Sequence, residues 1–274
     1  MIFIQTLSWN GLDKLIKLKE SLLPALEGLD YQWLIKDNGS TDNTVKIAST
    51  WGEKIKVIAY PNNLQNFSEG MNYCFNQAAP KDNDYILLLN NDVIFNDKKS
   101  IKNMVSIIEN DNNVGVVGAR LLYPNSNMLQ HAGVIFHNQY KMPMHFRAKN
   151  ISDVNAEKNR EFQAVTGAVL LTKAEYYKKA NTNNKSGLPG MQEEQKWAFC
   201  DIDFCLSIKY NLNKKVIYCG QTNIFHEESA SLKKNPVNKL FLTHNVITLK
   251  NNWEYRWKLD QELYLRDSNY NLYK

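Results

Sequence analysis

The chain has 274 residues, of which 43% are hydrophobic and 22% charged, with a formal net charge of +5. That length carries one large domain or two small ones, and the composition excludes a disordered chain. The mild positive balance does not make a nucleic-acid binder; it suits an anionic small ligand such as a nucleoside diphosphate, or a weak attraction to an anionic membrane surface.

Residues 2–7 form a short β-prone run. Residues 12–26 place Leu12, Leu15, Ile16, Leu18, Leu22 and Leu23 near helical spacing. A second strand is expected over 31–35. It runs into KDNGSTDNT, a turn and helix start with Ser40, Thr41 and Asp42 as caps for a helix over 45–51. A third strand follows at 55–60, a helix at 67–79 and a fourth strand at 85–89. Continuous apolar strands between helices predict a parallel sheet covered on both faces. The second half is less regular. Strands are expected at 114–122, 131–136, 164–172 and 216–219, and a helix at 201–210. Residues 150–160 read as a loop or exposed helix, 181–194 as a flexible loop, and 236 to the end as helical.

Four cysteines, Cys74, Cys200, Cys205 and Cys219, form no C-x-x-C pair. Reduced thiols in a cytoplasmic protein are therefore expected rather than a zinc site. MIFIQTLSWNG has neither a basic start nor a long apolar stretch, so no signal peptide is expected, and no apolar run approaches a membrane span of about 18 residues. The expected location is the cytoplasm, with peripheral attachment to the inner face of the membrane left open.

Open α/β sheets bind ligands beyond the carboxyl ends of their strands. Three polar clusters stand there: Ser8-Trp9-Asn10, Asp37-Asn38-Gly39-Ser40 and Asn90-Asn91-Asp92. Each alone could be an ordinary turn; their co-location is the functional signal. Neither G-x-G-x-x-G nor a Walker lysine motif is present, which disfavours dinucleotide and P-loop sites. Asp92, at the mouth of an apolar strand, is placed to hold a hard cation. Mg2+ and Mn2+ take one or two protein carboxylates and fill other positions with substrate phosphates. A further acidic cluster, Phe199-Cys200-Asp201-Ile202-Asp203, opens a helix, where carboxylates can simply cap.

LSWNGLDKLIKLKESLL, WLIKDNGSTDNT and YILLLNNDVIF, in that order, resemble the inverting family-two glycosyltransferases of the GT-A fold. The likeness is greatest to the rhamnosyltransferase-like branch, in which the usual D-x-D reads N-x-D, and it spans residues 1–250. It implies an α/β, Rossmann-like fold with a mostly parallel central sheet flanked by helices, a smaller acceptor-side sheet and a C-terminal helical tail. Residues 1–235 would be the catalytic domain, split into a nucleotide-sugar half (1–96) and an acceptor half (97–235), and 236–274 a helical extension packed on it.

The resemblance implies that Asp37 holds the base, that Asn90 lies near the ribose, and that Asn10 lines the nucleotide pocket. Ser8, Asn38 and Asn91 are counted with that pocket, although Asn91 could serve the turn alone. Asp92 becomes the metal ligand. PNNLQNFSEGMNYCFNQA, with Asn63, Asn66 and Gly70, would close over the nucleotide. Gly167 would let the chain pass beside the donor sugar. Asp201 becomes the catalytic base, and Cys200 stands where the family has a glutamate, removing a charge and a strong acceptor beside it. His226, a surface or capping residue on other grounds, becomes a second metal ligand or diphosphate contact, and imidazole suits Mn2+ better than Mg2+. Asp203, Trp197 and, behind the residues that would touch the acceptor, His131 fall on the acceptor side; Trp197 could equally fill the core.

The implied activity is inverting transfer of a sugar from a dTDP- or UDP-linked donor to a glycan or lipid-linked glycan, with Mn2+ or Mg2+ on the leaving diphosphate. Two other readings compete. One is a sugar-nucleotide nucleotidyltransferase, which LSWNGLDK serves poorly because it lacks a basic Gly-rich loop. The other is an inactive carbohydrate- or nucleotide-binding homologue, for which Cys200 is the support. The tail, with Phe241, Trp253, Tyr255, Trp257 and Tyr264 among Lys250, Arg256, Lys258 and Arg266, either packs on the domain or faces a membrane boundary.

Overall fold

The computed structural model describes residues 1–60, 66–126, 128–147, 156–196, 198–227 and 237–273, of which 237–241 are described as backbone only. The first half follows the expected order: β1 (Ile2–Ser8), α1 (Leu12–Ala25), β2 (Tyr31–Asp37), α2 (Thr44–Ala48), β3 (Ile55–Ala59), α3 (Phe67–Ala78) and β4 (Tyr85–Leu89). Strands β3, β2, β1 and β4 are parallel neighbours. Apolar side chains emerge on both faces of β1 and β2, so helices must cover both. One layer of the core buries Leu15, Leu18 and Leu22 of α1 against Ile4, Trp33 and Ile35; the other buries Met71 and Phe75 of α3 against Phe3 and Leu34.

The second half contains β5 (Val93–Phe95), α4 (Ser100–Asn110), β6 (Val114–Leu122), β7 (Leu129–His131), β8 (Val134–Phe136), β9 (Pro143–His145), β10 (Arg160–Phe162), β11 (Val169–Lys173), α5 (Ala174–Ala180), α6 (Cys200–Tyr210), β12 (Lys215–His226), α7 (Val237–Trp253) and α8 (Gln261–Arg266). One sheet of ten strands runs β10-β12-β6-β11-β4-β1-β2-β3, with β5 on β12 and β7 on β6; β8 and β9 form a separate pair. β11 lies antiparallel to both β4 and β6. That reversal brings the loop before β11 to the carboxyl end of β4.

Several expectations change. Helix α4 was not expected, although Ile101, Met104, Val105 and Ile108 recur at helical spacing; Asp97 accepts from the Ser100 backbone at 2.7 Å and secures its start. The expected strand over 131–136 is split at Gly133, whose φ of +103° is left-handed and whose missing Cβ leaves room for the Phe162 ring. Residues 164–168 form a turn rather than strand, so β11 starts at Val169.

The segment 181–194 is pinned, not flexible. Asn72 donates to Met191 O at 2.9 Å and accepts from Met191 N at 2.7 Å, and Asn184 donates to the same carbonyl. Glu193 accepts from the Ser186 backbone and hydroxyl. Asn72 lies 119 residues from Met191, while Asn184 and Ser186 bond within the segment, so glycine and proline content misjudges it.

The tail breaks after Trp253 instead of continuing as helix, and it packs on the domain. Trp253 donates to Asp203 at 2.7 Å, and the Tyr264 ring stacks on Phe162 with centroids 4.3 Å apart. Among the described residues no helix is long and apolar enough to cross a membrane.

Asp203 is 1% exposed, and its second carboxylate oxygen has no partner. Burial pushes its pKa from 3.8 up to about 6, against the opposing Trp253 hydrogen bond. The folded state thus favours the neutral acid. Its contribution is unfavourable above about pH 6, and the penalty is relieved as pH falls from 6 towards 4. Asp203→Asn should therefore raise the thermal midpoint by about 2 °C or more at pH 7 and leave it unchanged at pH 4. Melting curves across that range check this; an equal shift at both pH values would contradict it.

Candidate active site

The ends of β1 and β2 interlock. Asn10 adopts a left-handed φ of +46°, and its Oδ1 accepts from Thr41 N at 2.8 Å while its own backbone donates to Ser40 Oγ. Asp37 Oδ1 accepts from Gly39 N and Ser40 N at 3.0 and 2.8 Å, and Oδ2 accepts from Ser40 Oγ. Much of the hydrogen-bonding capacity of Asp37 is therefore spent organising the loop expected to receive a nucleotide base. Asn38 N donates to Ser8 O at 2.8 Å, and Ser8 Oγ is buried without a partner. Gly11 fits between Ser8 Oγ and Asn91 Nδ2: a Cβ there would lie 2.9 and 2.8 Å from them.

Two residues expected to close over the nucleotide do other work. Asn66 caps α3 by accepting from Glu69 N and donates to Glu193 O at 2.9 Å. Gly70 lets α3 approach β1; a Cβ would meet Leu7 at 2.8 Å. Asn63 lies outside the described residues.

A charged centre forms where β12 pairs with β5, placing His226 opposite Val93, next to Asp92. His226 Nε2 is 3.2 Å from Asp92 Oδ1 and 3.3 Å from Asn90 Nδ2. Gln130 grips the same histidine from behind: Nε2 donates to His226 O at 3.0 Å, and Oε1 lies 2.7 Å from Nδ1. An amide oxygen only accepts, so Nδ1 carries a proton and Nε2 is the ring nitrogen turned to Asp92 and the cleft. A lone pair and a carboxylate facing each other at this distance repel unless a proton or a cation joins them. Asp92 and His226 thus fit a divalent cation, and the mixed oxygen and nitrogen donors suit Mn2+.

Lys14 adds an ammonium 3.4 Å from Asp92 Oδ2. Burial alone would raise the Asp92 carboxyl, but the hydrogen bond and charge of His226, with Lys14, outweigh it and hold the group below the usual carboxylate range. Among the described residues no group of three or more His, Cys, Asp or Glu side chains is assembled, so further positions on a cation would fall to ligand oxygens.

The second centre is Asp201, in the first turn of α6. Oδ2 accepts from Gly167 N at 2.8 Å and Oδ1 from Ile202 N at 2.9 Å. A Cβ on Gly167 would lie 3.0 Å from that of Asp201, so the glycine lets the chain approach the Asp201 side chain. Phe199, just before the helix, holds a left-handed φ of +64°, a strained state for a bulky residue. Asn90 N donates to Ala168 O at 2.9 Å and ties the two centres to adjoining strand ends.

Three expected acceptor-side residues fare differently. His131 is fully buried; its Nε2 accepts from Thr166 N at 3.3 Å and its Nδ1 lies 2.8 Å from His145 Nδ1. Burial, with the charges of His145 and Arg147, lowers its pKa well below the usual value, so it is a neutral support beneath the turn that holds Gly167. Asp203 is enclosed against Trp253 and offers an acceptor nothing; its place two residues after Asp201 turns it into the α7 interface. Trp197 lies outside the described residues. Cys200 is a buried core thiol whose pKa burial raises.

The sequence reading missed Gln130 and Lys14. Gln130 adjoins His131 on a strand, where neighbours face opposite sides, and Lys14 stands in the first turn after the Asn10 loop.

Residues 6–170, more than half of the chain, match the family described as glycosyl transferase family 2. Over 98 residues the chain is 32% identical to the O-antigen chain rhamnosyltransferase WbaN of Salmonella anatum; the match covers 36% of this chain and only 30% of that relative's length. The fold resembles the mannosyltransferase PcManGT from Pyrobaculum calidifontis in complex with GDP-Man and Mn2+. The TM-score is 0.63 at 9% identity, covering 98% of this chain and 69% of that one. It also resembles S. aureus TarS 1-349 in complex with UDP-GlcNAc, with a TM-score of 0.58 at 15% identity, covering 91% and 66%.

Gln130→Leu should free the His226 ring and weaken Mn2+ binding by about 10–100-fold. Electron paramagnetic resonance of free Mn2+ measures this directly. Unchanged affinity would remove Gln130 from the role of setting the ring's protonation.

Proposed function

This chain belongs to glycosyl transferase family 2, and on that premise we propose that it is an inverting glycosyltransferase. It would move a sugar from a dTDP- or UDP-linked donor to a hydroxyl of a glycan or lipid-linked glycan. The observation that carries the reading is the pair of centres at adjoining strand ends: Asp92 facing His226, and Asp201 held by the Gly167 N–H. The bound UDP-GlcNAc and GDP-Man with Mn2+ in the structural neighbours support a nucleotide-sugar donor and a divalent metal, and the O-antigen relative supports a glycan acceptor. Residues 1–235 would form the catalytic unit, with 236–274 as its packed extension.

The chemistry follows from the two centres. A sugar hydroxyl is a poor nucleophile, and Asp201 takes its proton as it attacks the anomeric carbon. The Gly167 N–H keeps the carboxylate pointed at that hydroxyl while leaving it able to accept. The sugar passes through an oxocarbenium-like state, and attack opposite the leaving group inverts the centre. Asp92 and His226 would hold a divalent cation, Mn2+ or Mg2+, which would supply charge neutralisation to a leaving diphosphate. Lys14 adds a second positive charge beside the same carboxylate. The Asn10, Asp37 and Asn38 loops, with Ser8, receive the nucleoside, and Asn90 sits between that pocket and the cation.

Asp92→Ala should abolish Mn2+-dependent binding of the nucleotide sugar; unchanged donor affinity by calorimetry would remove the metal assignment. Asp201→Asn should bind donor normally and lose at least ~100-fold in transfer. A variant turning over near the wild-type rate would place the base elsewhere. Gly167→Ala should lower kcat with little change in donor affinity, since its Cβ crowds the base. Across a panel of nucleotide sugars, nucleoside diphosphate should be released only with an acceptor. Pyrophosphate release would instead mark a nucleotidyltransferase, and binding without turnover an inactive homologue.

A further inference from the structure

Strand β2 ends on an unusual residue. Lys36 is fully buried, and its side chain leaves the strand on the face where Leu34 packs against α3. Its ammonium donates to Asn38 Oδ1 at 2.7 Å and stands 4.8 Å from the Tyr60 ring centroid and 6.0 Å from that of Tyr73. Burying an ammonium is costly unless it is paired or serves a purpose, and methionine or leucine would fill the same volume more cheaply. Burial lowers the affinity of Lys36 for its proton, with Glu69 and Asp37 among the groups opposing it.

The consequence falls on Asn38. An ammonium only donates, so the amide must turn its oxygen inward to Lys36 and its nitrogen the other way. Asn38 Nδ2 has no hydrogen-bond partner among the described residues and is not sealed from solvent, although the residue is only 8% exposed. Two N–H donors are therefore presented at the end of β2, beside Asp37 and Ser8. A fixed donor reads an acceptor. Uracil, thymine and guanine offer exocyclic carbonyl oxygens; cytosine and adenine offer amino groups at the corresponding edge, which would face the amide donor to donor.

Resting on the nucleotide-sugar reading, we infer that Lys36 is a specificity-determining positioning residue: it locks the Asn38 amide so that the pocket selects bases with a carbonyl at the contacted edge. Lys36 touches no substrate; it acts through Asn38.

The test is calorimetric binding of UDP, dTDP, GDP, CDP and ADP with Mn2+ to the full chain. The wild type should bind at least one of UDP, dTDP and GDP about 10-fold or more tighter than CDP and ADP. Lys36→Met keeps the packing but frees the amide to turn over. UDP and CDP affinities should then converge to within about threefold, while the thermal midpoint without ligand stays at or above that of the wild type. Asn38→Asp keeps a partner for Lys36 and presents an acceptor outward, so CDP should overtake UDP. That second variant decides the question if Lys36→Met fails to fold. A Lys36→Met protein with the wild-type UDP-to-CDP ratio, an Asn38→Asp protein that still prefers UDP, or a wild type that prefers CDP or ADP overturns the inference and leaves the proposed function standing. Failure of every nucleoside diphosphate to bind removes the nucleotide-sugar reading, and this inference with it.

Discussion

The site depends on one reversal in the sheet. β11 enters antiparallel between β4 and β6, with Val169 opposite Leu89, and the register continues one step into the loop as Asn90 N donating to Ala168 O at 2.9 Å. That single bond brings the turn carrying Gly167 to the loop carrying Asn90 and Asp92. In a purely parallel sheet the segment before a strand would lie at the opposite edge from the loop after its neighbour. The antiparallel strand joins the polar loops after β1, β2 and β4 to the turn that holds Asp201.

β7 supports both centres at once. Its neighbours Gln130 and His131 point to opposite sides, as consecutive residues on a strand must. Gln130 Oε1 accepts from His226 Nδ1, and His131 accepts from the Thr166 N–H under the Gly167 turn. Only three residues long, it touches His226 on one side and the turn that holds Gly167 on the other. A disturbance of β7 would loosen both, so their geometry is linked by shared support as well as by the sheet.

How much of this was legible in the sequence varied with how local the cause was. β1 to β4 and their helices follow from apolar runs and helical periodicity read within a dozen residues, whereas the N-cap of α2 is Asn43 rather than the expected Ser40, Thr41 or Asp42. Asp92 was marked by its place at the mouth of an apolar strand, whereas the roles expected of Asp37, Asp201 and His226 came from the family resemblance. α4 was equally legible from its spacing. The pinned segment 181–194 was not legible, since its order comes from Asn72 and Asn66 in α3 and its cap. Nor was the fate of Asp203, whose partner Trp253 lies 50 residues away. The approach of Gly167 to the Asp201 side chain is likewise a contact no sequence spacing encodes.

The substitution at Cys200 can now be weighed physically. A glutamate beside the base would contribute a second negative charge and an acceptor, which could orient Asp201 only through intervening groups. Here Asp201 is oriented by backbone donors, the Gly167 and Ile202 N–H groups, which no side-chain change at 200 removes. The Cys200 thiol is buried in the core and kept neutral by that burial, so it neither repels the carboxylate nor competes for its donors. A side chain that packs can therefore replace one that carries charge without loosening the base. The residue that seemed to favour an inactive homologue is consistent with a working one, because the peptide backbone already holds Asp201 in place.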